Sequence, residues 1–255
     1  MSLEVNKIHQ GDCLALMPNI PDKSVDMILC DLPYGTTACE WDSIIDMGKL
    51  WAEYERVIKD NGAIVLTASA SFTFKLWQSN EQLFRYKMVW DKNCKIGFMD
   101  ANRRPMRQHE DVLIFYKKPP IYNPQKSKGD KYRNKRKKND VPEYMGRIER
   151  TDTVNNGDRY PSDIISIDSV ILSKEGGGMH PTQKPVALFE YLIKTYTNEG
   201  DLVLDNCAGS GTTAIACINA NRRYICIEQN EEYVRRSRER IENHEPLLHL
   251  IGGEK

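Results

Sequence analysis

The sequence predicts an α/β fold: a largely parallel sheet with helices on both faces and one inserted region. Three observations carry this. Apolar runs of strand length alternate with amphipathic stretches along most of the 255 residues. A Gly-x-Gly turn in "LVLDNCAGSGTTAIACINA" sits where a strand would hand over to a helix. Between residues 119 and 179 the periodicity fades and charge rises, which reads as an insertion with a mobile loop and not as more sheet.

The length suits one large domain carrying such an insertion. Acidic and basic residues number 36 each, so the formal net charge is zero and local patches are the informative feature. No apolar run approaches the ~20 residues of a membrane span, and the N-terminus shows no signal-peptide pattern. The seven cysteines (Cys13, Cys30, Cys39, Cys94, Cys207, Cys217, Cys226) form no CxxC pair and mostly lie in apolar runs. Buried, reduced thiols in a cytoplasmic protein are expected, with neither a disulfide framework nor a metal site.

In chain order, "VDMILCDL" (25–32) reads as a buried strand. "MGKLWAEYERVIKDNG" has apolar residues at helical spacing and a stop signal at Asn61-Gly62. "GAIVLTAS" (62–69) and "EDVLIFYKK" (110–118) follow as strands, the second bounded by Pro119-Pro120. A helix over 185–197, a strand over 201–205, a helix from 211 and a strand over 223–228 complete the alternation. The last helix opens with Asn230 as N-cap and Glu231 and Glu232 in its first turn, where the macrodipole favours acids. Residues 1–118 and 180–255 thus form the main domain, and 119–179 the insertion. Its run "KSKGDKYRNKRKKND" (126–140) carries eight Lys or Arg.

The glycine turn suits a ligand approached closely by backbone at a helix N-terminus. Glu228 ends the next strand, about 20 residues on, where a carboxylate accepts the hydroxyls of a ribose. A nucleoside cofactor follows. NAD fits less well, because Thr212, Thr213 and Ala214 after Gly211 match the dinucleotide fingerprint only loosely.

A second stretch, "ILCDLPYGTT" (28–37), places a carboxylate, a proline and an aromatic ring at a strand's carboxyl tip. That set suits methyl transfer to an exocyclic amine of a nucleobase. The amine lone pair is delocalised into the ring, so acceptors on its N–H bonds must help it pyramidalise and carry positive charge. Asp31 supplies one acceptor and the Leu32 carbonyl the other. Pro33 biases Leu32 towards an extended backbone, and Tyr34 offers a face to a base swung out of the duplex.

Together the two motifs resemble the S-adenosylmethionine-dependent DNA amino-methyltransferases that act on adenine N6 or cytosine N4, in the motif order of their beta group. Their catalytic motif is usually D-P-P-Y, here Asp31-Leu32-Pro33-Tyr34. Their cofactor motif is usually D-P-F-x-G-S-G-T-T, here Asp205-Asn206-Cys207-Ala208-Gly209-Ser210-Gly211-Thr212-Thr213. "HPTQKPVALFEYLI" (180–193) looks like that group's further cofactor-contacting motif. The resemblance covers about residues 5–118 and 160–242. It implies a Rossmann-like methyltransferase sheet, S-adenosylmethionine as cofactor, DNA as substrate, and the insertion as the target-recognition region.

Carried over residue by residue, Gly209 and Gly211 fall at the methionine side of the cofactor and Glu228 at its ribose. Asp12 and Cys13 fall by its adenine, and Thr182 and Lys184 at its amino-acid end. Asp12 reads equally as the N-cap of a helix through Leu16. For DNA, Lys135, Arg136, Lys137 and Lys138 would meet phosphates. Asn102, Arg103, Arg104, Arg107 and Gln108 are candidates for contacting bases. Leu32 and Cys207 depart from the motifs, the first loosening the geometry before Pro33, the second removing an aromatic wall from the cofactor pocket. Asp at position 31 favours adenine N6, since the cytosine enzymes more often carry Ser. Cytosine N4, an RNA or protein acceptor, and a DNA-binding protein without turnover stay open, as do a homodimer and a cognate restriction endonuclease.

Overall fold

The computed structural model describes residues 2–35, 45–134, 153–170 and 183–244. The first part of the chain forms β1 (Lys7–Gln10), α1 (Cys13–Leu16), β2 (Val25–Cys30), α2 (Met47–Val57), β3 (Ile58–Ala68), α3 (Ser71–Ser79), β4 (Phe84–Ile96) and β5 (Arg107–Phe115). Five short strands follow: β6 (Ser127–Lys128), β7 (Tyr132–Asn134), β8 (Thr153–Asn155), β9 (Asp158–Arg159) and β10 (Ile164–Ser166). The last part is α4 (Val186–Tyr196), β11 (Leu202–Asp205), α5 (Thr212–Asn219), β12 (Arg223–Glu228) and α6 (Glu231–Glu242).

Eight strands make one sheet in the order β1-β12-β11-β2-β3-β5-β4-β10. Neighbours pair in parallel except at β5, which runs antiparallel to β3 and β4. The ten residues between β4 and β5 are too few for a crossover, so the pair closes as a hairpin.

Side chains alternate across this sheet, and two cores result. Met27, Leu29, Ala63, Val65, Val112 and Ile114 point to the side packed with Leu188, Leu192 and Ile193 of α4. Ile28, Cys30, Ile64, Leu66, Leu113 and Phe115 point to the other side, against Leu50, Tyr54 and Val57 of α2 and Phe72 and Leu76 of α3. Near-continuous burial of β2 on both faces is what a central parallel strand requires. The helices on both faces match the expectation.

Local signals were legible at several ends. Asn230 caps α6, accepting from the N–H of Glu232 at 2.9 Å and of Tyr233 at 3.1 Å. Helix α2, however, ends at Val57, four residues before Asn61. There the chain turns extended, and Ile58 pairs with Val25 while Lys59 holds Asp26 at 2.6 Å. Sheet pairing thus outcompetes one further helical turn. The strand read at 110–118 starts earlier, at Arg107, and stops at Phe115.

The insertion also differs from its sequence reading. Ile164–Ser166, expected outside the sheet, extends it beside β4, with Ile165 buried and Trp90 Nε1 donating to the Ile167 carbonyl at 2.8 Å. By contacts the chain divides into residues 1–123 with 163–255, and residues 124–162. The second unit, as described, holds two antiparallel strand pairs, β6 with β9 and β7 with β8. Lys126 lies over the Tyr160 ring and Arg159 over the Tyr132 ring. Lys135, Arg136, Lys137 and Lys138 lie outside the described residues, as do Cys39 and Thr182.

Candidate active site

The apolar columns on the α4 side of the sheet end in a polar row at the carboxyl tips of the parallel strands. Two residues beyond a buried neighbour in each case stand Glu228 (after Cys226), Asp205 (after Val203), Asp31 (after Leu29), Thr67 (after Val65) and Lys92 (after Trp90). On antiparallel β5 the equivalent position is Glu110, two before Val112. Strands β11 and β2 lie side by side, and the chain proceeds from them in opposite directions across the sheet. A crevice outside the carboxyl ends at such a switch point is where open α/β sheets bind ligands.

Asp31 is held by three donors. Its Oδ1 accepts the Tyr34 hydroxyl at 2.8 Å and the Thr67 hydroxyl, and its Oδ2 accepts Lys184 Nζ at 2.5 Å. Lys184, 6% exposed, also lies 3.4 Å from Glu110 Oε2, and Lys92 closes the chain at 2.9 Å from Glu110 Oε1. Burial opposes the Lys184 charge, but Asp31 and Glu110 outweigh it and hold the ammonium above its ordinary value. Burial likewise pushes Glu110 up, and the two lysines more than reverse this, leaving its carboxyl below the usual range. Burial and the Asp31 charge push the Tyr34 hydroxyl well up, so it stays a neutral donor. Phe72 stacks on the Tyr34 ring at 4.8 Å, covering one face. Leu32 is buried in the core below.

The cofactor motif forms a tight turn from Asp205 to Thr213. Burial raises Asp205 to about 6; its oxygens accept the Cys207 N–H at 3.0 Å and the Thr213 hydroxyl, pinning both ends of the turn. Asn206 Oδ1 accepts the Tyr54 hydroxyl at 2.5 Å. Gly209 and Gly211 both take positive φ, 51° and 76°. A Cβ on Gly211 would stand 2.9 Å from Cβ of Ser237, so this glycine is fixed by the packing of α6. Ala208 is buried, and Arg240 Nη1 donates to the Ser210 carbonyl at 3.0 Å.

Glu228 meets the turn directly. Its Oε2 accepts the Gly209 N–H at 2.8 Å and its Oε1 the Asn230 N–H at 2.8 Å. A carboxylate offers about four lone-pair sites, so capacity for hydroxyl donors remains. Asp12 caps α1, accepting the Ala15 N–H at 2.9 Å. Cys13 is buried, and burial pushes neighbouring Cys30 up to about 12.

One link joins the two motifs. The Thr212 hydroxyl donates to the Lys184 carbonyl at 3.3 Å, while the Lys184 side chain reaches Asp31. Lys184 was expected at the cofactor's amino-acid end; in the structure its ammonium is engaged by Asp31 and Glu110. Sequence reasoning missed Thr67, Lys92 and Glu110. Lys92 and Glu110 keep the inward phase of Met88, Trp90, Val112 and Ile114, a pattern that emerges only with the burial of Lys92. Arg103 and Arg104 are exposed on the β4–β5 connection with Asn102, and Arg107 is exposed at the first position of β5, whereas Gln108 is tied to Asp91 at 2.9 Å.

This fold and site define an S-adenosylmethionine-dependent methyltransferase. Residues 25–239 match the N6/N4 DNA methylase family, and the chain belongs to it. It is 29% identical to the type II methyltransferase M2.MboI of Moraxella bovis, over 94% of this chain and 89% of that one. It is 28% identical to the DNA adenine methyltransferase YhdJ of Escherichia coli, over 94% and 83% respectively. The crystal structure of the M1.HpyAVI–SAM complex aligns with TM-score 0.63 at 25% identity, covering 92% of this chain and 98% of that one. The cytosine-N4-specific PvuII DNA methyltransferase shares the fold, with TM-score 0.66 at 18% identity, covering 96% and 89%. DNA is the substrate and S-adenosylmethionine the cofactor. No described helix is long and apolar enough to cross a membrane.

Proposed function

We propose that this DNA methylase methylates N6 of adenine. The observation that carries the reading is the carboxylate at position 31, fixed by three donors at the strand tip. Those donors take three of its roughly four lone-pair sites, which leaves one for a single N–H of the target amine. The Leu32 carbonyl is the acceptor for the second N–H. Two acceptors turn the amine lone pair out of the ring and stabilise the positive charge that grows on nitrogen. A relative named a DNA adenine methyltransferase, 28% identical, is compatible with adenine as the target.

S-adenosylmethionine, when bound, supplies an electrophilic methyl group on a positive sulfonium. Glu228 would hold its ribose hydroxyls, and the Gly209 turn would pass along its methionine side. Cys13, at the start of α1, would border its adenine. Tyr34 would stack on the extruded base. Lys184 and Glu110 hold Asp31 in orientation and in charge balance. Residues 124–162 and the basic run 135–138 would serve target recognition and phosphate affinity.

The test is nucleoside identification. Unmethylated DNA incubated with the protein and isotope-labelled S-adenosylmethionine is digested and resolved by mass spectrometry. Label in N6-methyladenine is expected; label in N4-methylcytosine instead would overturn the base assignment.

A further inference from the structure

We propose that Phe98 and Met99, at the tip of the β4–β5 hairpin, form a wedge that enters duplex DNA and fills the gap left by the extruded base. This deepens the proposed function and rests on it.

The hairpin springs from the active site. Trp90 pairs with Glu110, the partner of Lys184, and the ribbon continues through Asp91 with His109 and, past a register shift, to Ile96 with Arg107. Three residue steps of strand lead from Glu110 to Arg107, so the ribbon reaches roughly 10 Å past the catalytic row before its tip begins. The cross-strand hydrogen bond from Gln108 to Asp91 ties its two strands together.

The tip is a built turn. Gly97, at φ 94°, admits a 3-10 turn over Phe98–Asp100. The N–H groups of Asp100 and Ala101 donate to the carbonyls of Gly97 and Phe98, and those of Arg103 and Arg104 to Asp100. Held by these bonds, the turn presents Phe98 at 78% exposure and Met99 at 96%. Two adjacent large apolar side chains held outwards on an ordered turn mark a contact surface.

Charge identifies the partner. Within residues 93–107 stand Lys95, Arg103, Arg104 and Arg107, with Asp100 the sole acid and paired to Arg104 at 2.5 Å. An apolar tip ringed by basic residues fits nucleic acid, where arginines hold phosphates and an apolar wedge parts a base step. Neither residue touches the reacting amine. Their work is to keep the stack open while the base occupies the site.

The test uses the full chain and duplexes built on the site that modification mapping identifies. The Phe98→Ala/Met99→Ala double variant should bind S-adenosylmethionine and melt like the parent, since both positions are exposed. On a fully paired duplex its methylation rate should fall by about ten- to a hundredfold, because unstacking is no longer offset. On a duplex with the target base opposite an abasic site, extrusion is easier and the variant should approach parental rates. Equal rates on paired DNA, or the same loss on both duplexes, would overturn the wedge. So would a loss that tracks conversion of a dimer into monomers, which would make the tip a subunit interface. A parent protein that methylates no DNA would instead overturn the proposed function, and the wedge with it.

Discussion

Lys184 Nζ lies 2.5 Å from Asp31 Oδ2, although 153 residues separate them in sequence. The same lysine offers its carbonyl to Thr212 in the cofactor motif. One buried residue therefore ties Asp31, the proposed acceptor of the amine, to the turn proposed to present the cofactor. It does so with a charge that Asp31 and Glu110 balance together.

Lys184→Met should show what that charge does. Removing one partner of a buried ion pair strands the others, so about 3–5 kcal/mol of stability is at risk. If the variant remains folded at low temperature, the methylation rate at saturating cofactor should fall while affinity for S-adenosylmethionine changes little. Comparison of kcat with the cofactor Kd checks this. A large loss of cofactor affinity with unchanged kcat would return Lys184 to the amino-acid end of the cofactor.

Glu228→Ala should weaken cofactor binding by about 1.5–3 kcal/mol, the scale of hydrogen bonds to a charged group. Activity should recover in part at high cofactor concentration. The Gly209 and Asn230 N–H groups also lose their acceptor, so the melting temperature should fall as well. Calorimetric titration and thermal melting read the two effects separately.

Asp205 predicts a pH dependence of stability. In the folded chain it takes up its proton near pH 6, and in the unfolded chain only near about pH 4. Between these values the folded form binds more protons, so this group stabilises the fold as pH falls through the window. That contribution, at most about 3 kcal/mol, is lost as pH rises through 6. Urea unfolding of the parent and of Asp205→Asn should therefore show the parent gaining stability relative to the variant from pH 7 down to 4. A constant difference would contradict the assignment.

The basic run tests phosphate contact independently of catalysis. Changing Lys135, Arg136, Lys137 and Lys138 to Ala should reduce the slope of log affinity against log salt by about 3.6, at about 0.9 per contact. The preferred site should be unchanged, since phosphates carry no sequence. An unchanged slope would remove the run from the DNA interface.

How much of this was legible beforehand depended on range. Strand β12 and the capped start of α6 followed from local pattern, and the Asp31 and Gly209 motifs from short ordered stretches. The hairpin did not. β4 is rich in Lys, Arg and Asp, and its alternation shows only once Lys92 is known to be buried against Glu110. Glu110 acquires its meaning from Lys184, in a distant part of the chain, and no local rule connects them. Asp205 and Asn206 were legible as part of the cofactor motif, but not their hydrogen bonds to Thr213 and Tyr54, which brace the turn. Ile164–Ser166 read as insertion because three residues are too few to show a strand period.

The Asp31 carboxylate is proposed to activate the target amine and not to bind cofactor. Asp31→Ala tests this most directly, with single-turnover methyl transfer and the S-adenosylmethionine Kd measured on the same preparation. A rate loss equivalent to at least about 2–4 kcal/mol is expected, by analogy with removal of one transition-state donor, with a Kd close to the parent's. Near-parental transfer, or a rate loss fully recovered by raising the cofactor concentration, would contradict that role.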